Sequence, residues 1–110
     1  MTFKEIAQMI ESVGVPYTYD FFPNNIAPTP PYIVFNYPSR DDFGADNVNY
    51  SHIGTLNVEL YTATKDFQLE ETLESVLTQN GFYYTKSEAY IRTENLFQIS
   101  YVMDFVIKEQ

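Results

Sequence analysis

Leu96-Phe97-Gln98-Ile99-Ser100-Tyr101-Val102-Met103-Asp104-Phe105-Val106-Ile107-Lys108 is the stretch from which the rest of the chain is read. On an extended backbone Phe97, Ile99, Tyr101, Met103, Phe105 and Ile107 fall on one face, opposite Gln98, Ser100 and Asp104. Side chains of a strand alternate with a period of two, so this pattern predicts a long strand with a core on one side and water or a polar partner on the other.

Working outward from it, Arg92-Thr93-Glu94-Asn95 is a polar turn that links this strand to another over about Phe82 to Ile91. Before that, Asp66 is placed to cap a helix running to about Gln79, with Phe67, Leu69, Leu73, Val76 and Leu77 as its apolar stripe. Glu70, Glu71 and Glu74 read as the exposed side of this helix, and Asn80-Gly81 ends it. From about Val48 to Ala63, Leu56, Val58 and Leu60 alternate with Thr55, Asn57, Glu59 and Tyr61, a strand with one buried face.

Tyr32-Ile33-Val34-Phe35-Asn36-Tyr37 is apolar on both faces, as in a central strand, and Pro38 is expected to end it. The polar stretch Ser39 to Asn47 then reads as a protruding loop. Upstream, Pro23, Pro28, Pro30 and Pro31 stiffen a connection, and Val15 to Phe21 is a candidate short edge strand. Thr2-Phe3-Lys4-Glu5 matches a capping box that opens a helix from Phe3 to about Val13, closed by Gly14 and Pro16. The fold expected is α+β over residues 1–110 as one domain, in the order α-β-β-β-α-β-β. A mainly antiparallel sheet of four to five strands packs with two α-helices.

Apolar residues make up 45% of the chain and charged residues 19%, a globular balance despite a formal charge of −9. Fifteen Asp and Glu against six Lys and Arg disfavour specific nucleic-acid binding and anionic membranes, which need clustered cations. No apolar run reaches membrane-spanning length, and Met1 to Ile6 leads into a charged amphipathic pattern instead of a signal-peptide core. Zero cysteines exclude a disulfide framework, a thiolate zinc site and a cysteine nucleophile. Aromatics reach 17%, as 10 Tyr and 9 Phe with no Trp, a composition that suits either a tyrosine-rich sheet or a protein interface.

Catalytic motifs each fail a requirement. His52 is the chain's single histidine, with no cysteine to join it as a metal ligand or nucleophile. Asp41, Asp42 and Asp46 suggest calcium, but an EF-hand counted from Asp42 places Ile53 where the bidentate Glu belongs. Asp42-Phe43-Gly44 spells the kinase magnesium tripeptide without the glycine-rich loop, strand lysine or catalytic loop. No catalytic residue, cofactor or metal is therefore expected, and the chain reads as one that contacts other proteins. The candidate contact is the loop around Phe43, with Phe43 as an anchor and Arg40, Asp41, Asp42 and Asp46 as rim charges. The alternative is that Phe43 folds back onto its own core.

Several segments, in order and over most of the chain, resemble a family of small structural proteins. They are Gly14-Val15-Pro16-Tyr17, Pro30-Pro31-Tyr32-Ile33-Val34, Asp41-Asp42-Phe43-Gly44-Ala45-Asp46-Asn47, Val58-Glu59-Leu60-Tyr61-Thr62, Asp66 with Glu70-Glu71, and Gly81-Phe82-Tyr83-Tyr84. The family is the tail-completion or tail-terminator proteins of long, non-contractile-tailed phages and prophages of Gram-positive bacteria. The resemblance implies an α+β subunit of a homo-oligomeric, hexameric ring in the virion, made in the host cytoplasm. Such a ring stops tail-tube growth, and its partners are copies of itself, the tail tube protein and the head connector. Acidic side chains around its lumen would repel passing DNA. The alternatives are another neck component, a stopper or adaptor, and a small acidic regulator that imitates DNA. A mimic should carry rows of carboxylates, whereas Thr55, Asn57, Gln98 and Ser100 are neutral.

Overall fold

The computed structural model describes residues 1–43 and 51–107, with 41–43 and 51 described by backbone alone. Helix α1 spans Phe3–Glu11 and opens on the expected capping box: Thr2 Oγ1 accepts from the Glu5 amide at 3.1 Å, and the Thr2 amide donates to Glu5 Oε1 at 2.8 Å. Gly14 follows with φ +94, the left-handed region in which a side chain is strained. Strand β1 is short, Tyr17–Tyr19. Strands β2 (Tyr32–Phe43) and β3 (Ser51–Thr62) form a long antiparallel pair. Helix α2 spans Phe67–Gln79, capped by Asp66 onto the Leu69 amide, and β4 (Thr85–Ile91) and β5 (Leu96–Val106) complete the chain.

The five strands form one sheet in the order β1-β2-β3-β5-β4. It is mixed, because β1 runs parallel to β2 while every other pairing is antiparallel. The α+β class and element order are those read from the sequence. The parallel strand has a topological cause. The connection from Phe21 to Pro31 carries the chain back to the starting end of β1, so β2 sets out in the same direction.

Both helices lie on one face. There Ile6, Met9 and Ile10 of α1 and Leu73 and Leu77 of α2 pack on Ile33, Phe35, Leu56, Val58, Leu60, Ile99, Tyr101 and Met103. Burial at this scale, about 1.5 to 3 kcal/mol per large apolar side chain, is what holds the layers together. Gly54 is required by packing rather than by backbone freedom. A Cβ there would lie 2.9 Å from Phe105 Cε1 and 3.0 Å from Ile107 Cδ1, so glycine lets the ring lie flat over the strand.

The opposite face is covered at one end only, where Phe22 packs with Tyr32, Val34, Tyr61 and Leu96. Elsewhere it is exposed and mixes Val102 and Val106 with polar side chains, Ser39 Oγ donating to Thr55 Oγ1 at 2.9 Å and Thr55 Oγ1 to Asp104 Oδ1 at 3.0 Å.

Candidate interaction surfaces

One expected boundary changes what the proposed contact loop is. Pro38 does not end β2. The strand absorbs it in a bulge between Asn36 and Ser39 and resumes pairing, Arg40 with Gly54, Asp41 with Ile53, Asp42 with His52 and Phe43 with Ser51. Proline removes one amide donor, and a bulge is where a ladder can spare it. Arg40, Asp41, Asp42 and Phe43 thus stand on the end of a strand, not on a loop. The side chains of Asp41, Asp42 and Phe43, and Asp46 altogether, lie outside the described residues. Arg40 is exposed, with a guanidinium nitrogen 2.9 Å from Nδ1 of His52 across the strand pair.

A second correction concerns Glu70. Expected on the outer side of α2, it is 2% exposed, between Lys65 Nζ at 2.6 Å and Lys86 Nζ at 2.9 Å. Lys86 also reaches Glu74 at 2.7 Å, Lys65 pairs with Glu88, and the buried Tyr101 hydroxyl donates to Glu74 Oε2 at 2.7 Å. Burial opposes ionisation of Glu70, but hydrogen bonds and charge from the two lysines outweigh it and hold its carboxyl below the usual range. The Glu74 hydrogen bond leads in raising Lys86, against burial. Burial, then the bond to Glu74, raises the Tyr101 phenol. The signal was present in the spacing: Glu70, Leu73 and Leu77 sit three and seven apart, one helical face. With both carboxylate oxygens of Glu70 occupied by ammonium groups, the network ties β4 to α2. Among the described residues no three His, Asp or Glu side chains gather in a way that could hold a metal ion. Among the described residues no helix is long and apolar enough to cross a membrane.

Most of the exposed large apolar side chains among the described residues lie on the two outer strands or on the segments next to them. Beside β1 are Tyr19, Phe21 and, on the connection that follows, Ile26, 73% exposed. Beside β4 are Tyr90, Phe67, 71% exposed, and Tyr83, 95% exposed. Sequence reading picked out the aromatic excess but not its division between two opposite flanks, since strand order is set by pairing between distant segments.

No family model matches the chain, and no curated protein sequence matches it significantly. Among solved structures the fold is similar to a chain in the virion of a native gene transfer agent (GTA) particle, with a TM-score of 0.59. The two share 13% identity, and the match covers 94% of this chain and 87% of that one. Agreement at this level concerns the fold.

Proposed function

We propose that the chain is a virion structural protein of a tailed phage or a related particle. In detail it is a tail-terminator subunit, whose hexameric ring caps the tail tube and joins it to the head connector. The observation that carries this reading is the fold likeness to a chain of a gene transfer agent virion over nearly the whole length of both proteins. The order of segments that resemble the tail-completion family supports the finer assignment.

The division of exposed aromatics between the β1 and β4 flanks fits the same role. A closed ring needs two different surfaces that meet head to tail, which a monomeric regulator does not. The acidic balance suits a particle through which DNA passes without adhering.

Electron microscopy of purified tail tubes incubated with the protein tests it. The expected result is a ring on one end of each tube and no further elongation when tube protein is added. Bare ends that keep growing sink the terminator assignment, and density only on isolated head connectors would transfer the chain to a stopper or adaptor role.

A further inference from the structure

Strand β4 is the edge at which the sheet stays open. All of its residues but Ile91 are exposed. Proteins guard such an edge with proline, a bulge or charged side chains, because unpaired amides and carbonyls recruit another strand. Strand β4 has no proline and pairs with β5 without a bulge, and its two charged side chains are engaged within the chain, Lys86 with Glu70 and Glu74 and Glu88 with Lys65.

At the other edge, β1 offers a short, matching strand. The pairing rows run unbroken across the sheet. Tyr19, Phe35, Val58, Tyr101 and Lys86 share one row, Thr18, Val34, Glu59, Ser100 and Ser87 the next, and Tyr17, Ile33, Leu60, Ile99 and Glu88 a third. Strand β4 runs opposite to β1. A rotation about an axis along the strands therefore brings β4 of one copy antiparallel to β1 of the next.

We infer that β4 of one copy pairs with β1 of the next, with Ser87 beside Thr18, as the lateral contact of the assembly. This rests on the ring reading above. In that register the Lys86 ammonium meets the Tyr19 ring, as it already lies 5.9 Å from the Tyr101 ring centroid within its own chain. The β1 flank, with Glu11 and Asp20 and no Lys or Arg over residues 5–39, meets a β4 flank whose carboxylates Glu70, Glu74 and Glu88 are already paired with Lys65 and Lys86. The apolar sets Tyr19, Phe21 and Ile26 and Phe67, Tyr83 and Tyr90 are covered together.

The absence of cysteine makes disulfide trapping clean. Thr18→Cys with Ser87→Cys places one thiol on each side of the seam, on the face away from the helices, at the separation a disulfide spans. Thr85→Cys or Ala89→Cys in place of Ser87→Cys covers a slip of two residues. On mild oxidation one of these pairs should convert most of the protein into a ladder of multimers that collapses with reductant, while each single variant stays monomeric on the gel. A dimer from Ser87→Cys alone would show β4 pairing with itself and overturn the contact, as would monomers from all three pairs with unchanged circular dichroism. Light scattering and microscopy on the unmodified protein with tail tubes separate the two failures. A ring without cross-links removes this contact only, and the lack of any ring removes the terminator reading.

Discussion

Lys86 Nζ lies 2.9 Å from Oε1 of Glu70, so a residue of the sheet's outermost strand is bound to a carboxylate on the buried side of α2. The pair gives β4 an anchor other than its ladder to β5, and Lys65 closes it from the other side. A buried carboxylate that loses its ammonium partners is costly, whereas the intact set contributes little more than well-packed apolar residues would. Lys65→Met with Lys86→Met, which strands the buried Glu70 carboxylate, should therefore lower unfolding stability by about 3 to 5 kcal/mol. Combined replacement Glu70→Leu, Lys65→Met and Lys86→Met should recover most of that loss. Urea unfolding of the two variants against the parent measures both.

The same carboxyl sets an acid limit. Folding lowers its ionisation range from the ordinary value of 4.5. The unfolded chain then takes up the proton first as pH falls. The contribution is complete above about pH 4.5 and is lost as pH drops through the lowered folded value. Glu70→Gln should flatten this part of the stability profile. At the other end, burial and the bond to Glu74 raise the Tyr101 phenol from its ordinary value of 10.0. Its contribution is present below pH 10.0 and declines above it. Tyr101→Phe should remove that decline, read as denaturation midpoint against pH.

Gly54→Ala should destabilise by about 1 to 3 kcal/mol, the usual cost of forcing atoms into a packed core. The obstacle is the ring of Phe105, 2.9 Å from the new methyl group. Phe105→Leu in the same chain frees that space, so the double variant should lose less than the two single losses added. Thermal unfolding of all three variants tests the coupling.

The readability of the chain follows the range of the forces involved. Capping of α1 and α2 and the alternation in β5 depend on residues a few positions apart, and the structure places them where the sequence does. The run of β2 past Pro38 depends on pairing with β3 and was not local. The burial of Glu70 was half legible, in its spacing with Leu73 and Leu77. Its partner Lys86 arrives from a strand sixteen residues on, which no periodicity announces. Of the candidate site, Arg40 is exposed, and its setting at a strand end is fixed by the pairing of β2 with β3, which no local pattern announces.

Tyr83 is almost wholly exposed and Phe67 largely so, and neither holds the core. Tyr83→Ser with Phe67→Ser should leave the unfolding midpoint within about 0.5 kcal/mol of the parent, as surface changes do. Assembly should fall sharply, because exposed aromatics of this kind anchor interfaces. Sedimentation of the variant with tail tubes, set beside its thermal unfolding, separates a lost contact from a lost fold.

The most direct test of the terminator assignment is the number of copies in a finished particle. Quantitative mass spectrometry of purified virions against the tail tube protein should find about six copies per particle, all at the neck, as a single closed ring requires. Copies in proportion to tail length, or none in particles whose heads and tails are joined, would contradict it.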